Sequence, residues 1–422
     1  MEIDHIKVIQ NYIQEEEDRQ DKELQLIASE NYISENIRKA MGSRLNNRYS
    51  EGMPGTKYYG GQEVLEKIEN KAIALAKELF HADHANVQPH AGAQANMAVY
   101  NAWCNPGDTI LGLSLDDGGH LTHGSPVTQA ARFYNFVSYG LDDKGYIDLD
   151  DLKQKIIMYQ PKIILIGYSA YPRIPDFKKI NEIRNEFAPD ALLMADMAHV
   201  AGLIAAGVHP NPLDFGFNVM TTTTHKSLRG PRGGLILTKG KVSNPLKKPE
   251  HTLENIPTLV DRSVFPGTQG GPICQMIAAK AICFAEAMTP EFKQYAEQIL
   301  KNAKAMEKVF TENAVMMQTG GTDNHLILIN VRKSFGISGA EAEKRLEKVG
   351  IIVNKNAVHN DTGTKANPDG IRIGTPAVTT RGFNEDDCET LAAIIVDVLT
   401  DKDDLEEVKK MVEDLAIENP IP

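Results

Sequence analysis

Cysteine is scarce in this sequence of 422 residues, which contains only Cys104, Cys274, Cys283 and Cys388. None of them stands in CxxC spacing, so the sequence indicates neither a disulfide framework nor a zinc site. Apolar runs are short as well, and none approaches the roughly 18 residues that a membrane-spanning helix needs. The sequence therefore excludes two classes of protein, a disulfide scaffold and a membrane protein. No metal site is expected.

Basic residues are in the minority, with 45 Lys and Arg against 57 Asp and Glu and a formal net charge of -12. An acidic surface disfavours nucleic acid or an anionic membrane as the main partner, although a local basic pocket for a phosphate or carboxylate remains open. The first residues carry acids where a signal peptide would carry basic and apolar regions. We therefore expect a cytoplasmic globular protein, and its length favours an enzyme of two or three domains.

The spacing of apolar residues divides the chain into three predicted parts. Residues 1–22 follow helical spacing and predict an N-terminal helical arm. Within 23–280, apolar runs alternate with helices, which indicates a mostly parallel sheet covered on both faces. These runs are 84–88, 109–115, 162–170, 191–196, 219–224 and 234–240. Residues 281–422 predict a smaller α+β domain, attached through one long helical stretch that begins near residue 275.

Two charged side chains follow apolar runs, at the strand ends where sites in open α/β sheets lie. Asp196 ends the run ALLMAD, with His199 three residues later, although an aspartate at this position is also typical of a helix cap. Lys226 follows the threonine-rich run VMTTTT. A lysine that forms a covalent bond to a carbonyl needs a lowered pKa, which burial and the nearby Arg229 and Arg232 would supply. The alternative is a surface lysine in a turn.

A third feature is the segment QPHAGAQANMAV at 88–99, where small residues lie between a predicted strand and helix. Backbone N–H groups at such a helix N-terminus can bind an anion. The segment is not GxGxxG, so a dinucleotide is disfavoured. Together the three features fit pyridoxal phosphate: the helix N-terminus would bind the phosphate, Asp196 would keep the pyridine nitrogen protonated, and Lys226 would bind the cofactor covalently.

Further motifs extend along nearly the whole chain: LIASENY (26–32), YSEGMPGTKYYGG (49–61), GGHLTHGSP (118–126), SAYPR (169–173), DMAHVAGL (196–203), TTTTHKSLRGPRGG (221–234), FPGTQGGP (265–272), GGTDNHL (320–326), VNKN (353–356) and GIRIGTPA (370–377). In content and order they resemble the serine hydroxymethyltransferases, pyridoxal-phosphate enzymes of fold type I. The resemblance implies an aspartate-aminotransferase-like large domain with a mostly parallel seven-stranded sheet, and a smaller C-terminal α+β domain.

The same resemblance implies an activity and partners. The expected reaction is the reversible transfer of the serine hydroxymethyl group to tetrahydrofolate, which gives glycine and 5,10-methylenetetrahydrofolate and belongs to one-carbon metabolism and glycine biosynthesis. Pyridoxal 5′-phosphate is the expected cofactor, and serine, glycine and folate are the expected small-molecule partners. The chain is expected to associate as a homodimer or a dimer of dimers, without nucleic acid or membrane.

Roles for individual residues also follow from the resemblance. Lys226 would bind the cofactor covalently, Asp196 would pair with its pyridine nitrogen, and His120 would stack on its ring. The other expected cofactor contacts are Ala91, Gly92, Ala93, Ser169, His199 and His225, with Tyr49 and Gly271 of the partner subunit. The expected amino-acid site is Ser29, Glu51, Tyr59 and Arg372, of which Glu51 would move protons and would, like Tyr49 and Tyr59, come from the partner subunit. The expected folate contacts are Leu115, Gly119, Leu121 and Asn354.

Some positions depart from the family pattern and keep alternatives open. Ala91 lacks the hydroxyl that the family commonly has in the phosphate turn, and residues 115–117 and 359–369 differ near the expected folate pocket. An α-methylserine hydroxymethyltransferase or a threonine-aldolase-like homologue therefore remains an alternative. The intact Lys226 and Asp196 disfavour a non-enzymatic regulatory homologue. A metal pair formed by His120 and His123, or a polar core position for them, is disfavoured.

Overall fold

The computed structural model describes residues 4–243, 249–401 and 404–422, so residues 1–3 of the predicted arm and 244–248 of the predicted large domain lie outside the described residues. Backbone contacts divide the chain into two compact units. The central unit is Ile33–Glu297, and the terminal unit combines residues 4–32 with the described part of Gln298–Pro422. The predicted boundaries at 22 and 280 differ from this division, which falls at residues 32 and 297.

The strands in chain order are β1 (Leu24–Gln25), β2 (His84–Asn86), β3 (Thr109–Leu113), β4 (Asn135–Tyr139), β5 (Ile163–Gly167), β6 (Leu192–Asp196), β7 (Val219–Thr223), β8 (Gly234–Thr238), β9 (Leu326–Asn330), β10 (Ile351–Ile352), β11 (Asn354–Asn356) and β12 (Gly370–Gly374). The helices are α1 (His5–Lys22), α2 (Glu35–Met41), α3 (Glu63–Leu79), α4 (Gly92–Trp103), α5 (Ala130–Phe133), α6 (Leu149–Tyr159), α7 (Phe177–Phe187), α8 (Ala201–Ala205), α9 (Ile256–Arg262), α10 (Cys274–Ala287), α11 (Pro290–Glu312), α12 (Val331–Phe335), α13 (Gly339–Lys348), α14 (Pro376–Thr380), α15 (Glu385–Thr400) and α16 (Leu405–Glu418).

In the described part of the central unit, seven strands form one sheet, here called the main sheet, in the order β2-β8-β7-β6-β5-β3-β4. The strands from β7 through β6, β5 and β3 to β4 pair in parallel, and β8 is antiparallel to both β7 and β2. Every residue of β5 and β6 is buried, as expected for strands covered on both faces. The predicted mostly parallel seven-stranded sheet is confirmed.

Helix α4 packs its apolar side into the core of the central unit. Ala95, Ala98 and Val99 belong to the same buried cluster as Leu165 of β5 and Met194 of β6. Each Å² of apolar surface that the helix buries stabilises this packing by about 25 cal/mol, so the burial anchors the helix along the sheet. The N-terminal turn of α4 is thereby fixed beside the end of β2.

In the terminal unit, β11, β12 and β9 form an antiparallel sheet, and β1 pairs in parallel with β10. The run IIVNKN (351–356) therefore forms two strands in two sheets. Arg381 is buried, and its guanidinium donates to five carbonyl oxygens at distances between 2.5 and 3.1 Å. Three of these carbonyls belong to Gln20, Asp21 and Glu23, and two belong to Ala416 and Asn419. This side chain joins the end of α1 to the end of α16.

The long helix predicted from residue 275 onward is two helices, α10 and α11. The break lies at Thr289, directly before Pro290, because proline has no N–H to continue a helix and is favoured at the first helical position. Among the described helices, none combines the length and the apolarity that crossing a bilayer requires.

Candidate active site

The carboxyl ends of β2, β3, β5, β6 and β7 lie at one edge of the main sheet, because β8 alone runs in the opposite direction. The segments that leave this edge carry most of the predicted cofactor contacts. Ala91 and Gly92 follow β2, His120 follows β3, and Ser169 follows β5. Asp196 is the last residue of β6, and the loop that follows β7 contains Lys226.

Asp196 is buried and bound by three donors. Its Oδ2 accepts from Nδ2 of Asn96 at 2.8 Å and from Nε2 of His123 at 3.0 Å, and its Oδ1 accepts from the backbone N–H of Ala198 at 3.2 Å. Burial would raise the pKa of the Asp196 carboxyl, but the hydrogen bonds and nearby imidazoles outweigh burial and keep this pKa well below its usual range. The carboxylate is therefore ionised at neutral pH.

The hydrogen bonds around the two histidines of the β3–α5 segment define their tautomers. The N–H of His120 donates to Nδ1 of His123 at 3.1 Å, so the proton of His123 lies on Nε2 and points at Asp196. Nδ1 of His120 accepts from the N–H of Thr122 at 3.2 Å. Burial lowers the pKa of His120 to about 4, so its imidazole is neutral at pH 7.

The first turn of α4 has no side-chain cap. Ala91 is the N-cap residue in an extended conformation, and it cannot accept a hydrogen bond with its methyl group. Among the described residues, the backbone N–H groups of Gly92, Ala93 and Gln94 have no acceptor. Three N–H donors at the positive end of a twelve-residue helix fit an anion such as a phosphate.

Replacing Ala91 with serine is expected to tighten binding of a phosphate-bearing ligand severalfold. Ala91 is exposed, so a hydroxyl has room, and the extended backbone is the one that N-cap serines adopt. The same hydroxyl should raise the free energy of unfolding by about 1 kcal/mol through capping. Titration of the cofactor-free protein and thermal unfolding measure the two effects. Unchanged or weaker affinity would contradict the assignment of this turn.

Lys226 is half-buried in the loop between β7 and β8. The next residue, Ser227, donates its hydroxyl to the carbonyl oxygen of His199 at 2.6 Å, so the loop after β7 lies against the segment after β6. Burial, Arg232 and Lys226 lower the pKa of His225 to about 3, which leaves this imidazole neutral. Arg229, one of the two cations expected beside Lys226, has its guanidinium 4.3 Å from the ring centre of Tyr295.

The segment after β3 turns sharply at two glycines. Gly118 has φ +99°, and a Cβ on Gly119 would lie 2.2 Å from the carbonyl oxygen of Leu113, so neither position tolerates a side chain. The carbonyl oxygen of Gly118 accepts from the N–H of Ser169 at 2.8 Å. The turn therefore holds the segment with His120 against the segment after β5. Two predicted folate residues flank it, with Leu115 half-buried and Leu121 exposed.

A second group in the central unit surrounds Glu51. The hydroxyl of Tyr59 donates to Oε2 of Glu51 at 3.0 Å, and the rings of Tyr59 and Tyr49 lie edge to face at 5.6 Å. A Cβ on Gly271 would lie 3.2 Å from the Tyr49 ring. A broad cavity of about 670 Å³ lies between Glu51, Tyr58 and the segment 265–270. In the single chain, Tyr49 is 60% exposed.

The terminal unit brings together the remaining predicted residues. Arg372 on β12 lies opposite Asn354 on β11, and its Nε donates to Oδ1 of Asn354 at 3.1 Å. Burial lowers the pKa of Arg372 to about 10, so the guanidinium stays protonated at pH 7. The strand ends at Gly374, where a Cβ would lie 2.4 Å from Cα of Ala28, next to the half-buried Ser29.

Two side chains that bind Asp196 were not predicted from the sequence. His123 and Asn96 stand 73 and 100 residues from Asp196, so only the fold brings them together. The structure also brings a carboxylate to the two histidines, because ligand atoms of His120, His123 and Asp196 lie within 4.8 Å of one another. Asp196 Oδ2 is already bound by two donors, which fits an anion that pairs with a protonated nitrogen better than a metal ligand.

The main sheet has seven strands and is mostly parallel. An ionised aspartate, a loop lysine and an uncapped helix N-terminus lie at one edge of it. These features define an α/β enzyme of fold type I. The sequence model of the serine hydroxymethyltransferase family matches residues 3–395, and the chain belongs to this family. Membership supports a transferase of the hydroxymethyltransferase type that works with pyridoxal phosphate.

Proposed function

We propose that the protein reversibly transfers the hydroxymethyl group of serine to tetrahydrofolate, giving glycine and 5,10-methylenetetrahydrofolate. The observation that carries the proposal is the ionised Asp196 carboxylate, bound by His123 and Asn96 at the sheet edge that also carries Lys226. A carboxylate for a pyridinium nitrogen, an amine and three phosphate-directed N–H groups are the donor set that pyridoxal phosphate requires.

Each of these groups has one task toward the cofactor. When bound, pyridoxal phosphate supplies an electron sink for bond cleavage at the substrate's α-carbon. Lys226 would bind the cofactor covalently through Nζ, and Asp196 would keep a proton on the ring nitrogen. The neutral imidazole of His120 would stack on the ring without repelling its positive charge. Gly92, Ala93 and His225 would bind the phosphate, with Ser169 and His199 beside the ring oxygen.

The substrate groups in the proposal come from the chain itself and from a second copy of it. Arg372 would bind the serine carboxylate through a bidentate pair of hydrogen bonds, aided by Ser29. Glu51 and Tyr59 of the partner subunit would contact the hydroxyl, and Tyr49 and Gly271 of the partner subunit would contact the cofactor phosphate. Exposure of Tyr49 and the broad cavity beside Glu51 favour coverage of this surface in a homodimer.

The folate site is proposed from Leu115, Gly119, Leu121 and Asn354, and the cytoplasm is the proposed location. The test is serine cleavage by the purified protein with and without tetrahydrofolate, together with an absorbance spectrum after glycine and then tetrahydrofolate are added. A spectral change that needs both ligands supports the proposal. Serine turnover independent of folate would favour a threonine-aldolase-like enzyme, and preference for α-methylserine would favour the other alternative.

Replacing Glu51 with glutamine is expected to reduce serine–folate activity by about 10²–10⁴-fold, the scale of a general acid–base group. Glutamine keeps the shape and still accepts from Tyr59, so the loss would report proton transfer. Folate-independent cleavage of allo-threonine should survive, because the aldehyde released is stable without capture. Steady-state kinetics on both substrates measure the difference. An equal fall in both activities would instead assign Glu51 to substrate binding.

Mixed dimers test whether Glu51 acts across the subunit interface. A dimer of one Glu51→Gln chain and one Lys226→Ala chain contains one site in which both residues are wild type, if the site is shared. Partial recovery of activity after subunit exchange is then expected. No recovery, with exchange demonstrated by labelled chains, would mean that both residues serve a site within one chain.

A further inference from the structure

Helix α10 carries a lysine in the core of the central unit. Lys280 is 2% exposed, and its Nζ donates to three backbone carbonyl oxygens: Val87 at 2.7 Å, Gly234 at 2.8 Å and Pro89 at 3.0 Å. Among the described residues, no carboxylate forms an ion pair with it. A buried ammonium without a carboxylate is costly, so three converging carbonyls must offset its desolvation.

The three carbonyls belong to the two segments that shape the uncapped turn of α4. Val87 and Pro89 lie between β2 and Ala91, and Gly234 begins β8. The N–H of Gly234 also donates to the carbonyl oxygen of Pro89 at 3.0 Å, and a Cβ on Gly234 would lie 2.5 Å from the carbonyl oxygen of Ala91. Lys280 therefore fastens the backbone that leads into the turn of Gly92 and Ala93.

The positive charge of Lys280 also reaches the groups around this turn. Burial is the main cause of the lowered pKa of both His225 and His90. The charge of Lys280 adds to it at His225, together with Arg232 and Lys226, and adds to it at His90. Burial lowers the pKa of Lys280 to about 7, partly opposed by the Glu69 carboxylate, which itself binds Lys57 and Gln88. Three carbonyl oxygens accept from Nζ, and only the ammonium has three N–H donors for them, so the contacts select the charged form. A charge in a region of low dielectric acts on an anion more strongly than one at the surface.

We propose that Lys280 is a positioning residue for the phosphate of the cofactor: its ammonium holds the turn after β2 in the conformation that presents the α4 N–H groups, and it adds positive charge near that turn. The proposal rests on the proposed function, because it takes pyridoxal phosphate as the ligand. It assigns to Lys280 no contact with the cofactor itself.

The test compares two ligands that differ only in the phosphate, pyridoxal 5′-phosphate and pyridoxal. Full-length protein freed of cofactor is titrated with each, and the ratio of the two dissociation constants measures the phosphate's share of binding. Lys280→Met is expected to weaken binding of pyridoxal 5′-phosphate about tenfold or more, the effect of losing one charge-assisted interaction, with little change for pyridoxal. Thermal stabilisation by inorganic phosphate should fall in parallel.

Arg184→Met is the matched control. Arg184 is also a buried cation that donates to backbone carbonyls, those of Pro189 and Gly216, but these precede β6 and β7 at the opposite edge of the main sheet. It should lower stability and leave the ratio of dissociation constants unchanged. Should Lys280→Met fail to fold, Lys280→Gln, which keeps a donor and loses the charge, should still shift the ratio in the same direction.

The outcomes separate the two proposals. Equal weakening of both ligands in the Lys280 variants, or an unchanged ratio, would overturn the role of Lys280 while wild-type binding of pyridoxal 5′-phosphate still supports the proposed function. Failure of the wild-type protein to bind pyridoxal 5′-phosphate would overturn the proposed function itself, and the role of Lys280 with it.

Discussion

Replacing Lys226 with alanine is expected to abolish the visible absorbance of the cofactor-loaded protein and to reduce serine cleavage by at least about 10³-fold. The reason is that the amine is the proposed covalent attachment point, and covalent catalysis depends on that single nucleophile. Absorbance spectra after reconstitution, followed by single-turnover kinetics with serine, measure both losses. Normal colour and normal turnover in the variant would refute the assignment of Lys226.

Lys226→Arg separates the amine's chemistry from its charge. Arginine keeps the positive charge but remains protonated in proteins, so it cannot attack a carbonyl. It is expected to lose activity nearly as fully as the alanine variant. If arginine restored most of the activity, the side chain would act as a cation toward the substrate, and covalent attachment would have to be sought at another amine.

Replacing Asp196 with asparagine is the second change with a large expected effect, a fall in serine cleavage of at least about 10²-fold, the scale for removing one electrostatic stabiliser. Asparagine keeps the size of the side chain and can still accept from His123 and Asn96, but it carries no charge for a protonated ring nitrogen. The measurements are kcat and the absorbance of the cofactor-loaded protein, since the loss of ring protonation should alter both.

Asp261→Asn provides a matched control for that experiment. Asp261 is also held by an imidazole and an amide, with Nε2 of His84 at 2.9 Å and Nδ2 of Asn86 at 2.8 Å. It lies in α9 and has no proposed role toward the cofactor. Activity close to wild type is expected. Comparable losses in the two variants would mean that the Asp196 variant fails through the fold and not through the charge.

The main sheet was largely predictable because its inner strands are buried on both faces and appear as apolar runs. Strand β4 was not predicted from an apolar run, because NFVSY is the outermost strand of the main sheet and most of its side chains are partly or fully exposed. Pro290 marks the break between α10 and α11 in the sequence. The prediction of one long helix followed the helical spacing on both sides of this proline and so missed the break. The positions of Asp196 and Lys226 after strands, and the turn before α4, could be predicted because strand ends are marked in the sequence.

The groups that set the chemistry of those residues could not be predicted in the same way. His123 and Asn96 reach Asp196 only through the packing of α4 and the turn after β3 against the end of β6. Lys280 stands in AAKAIC, a segment that predicts an ordinary helix, and nothing in the local pattern tells that its amine meets three carbonyls from two distant segments. Such contacts depend on tertiary packing, which local periodicity does not encode.

Arg381 makes the two ends of the described chain depend on one another. Its five carbonyl partners are divided between the end of α1 and the end of α16. Shortening the protein past Ala416, or removing the arm up to Glu23, would therefore leave buried N–H donors of this guanidinium without acceptors. Proteolytic cleavage at either end would thus also weaken the packing of the other end. Fusion partners are better joined beyond Asn419 than in place of it, and a circular permutation should keep both segments intact.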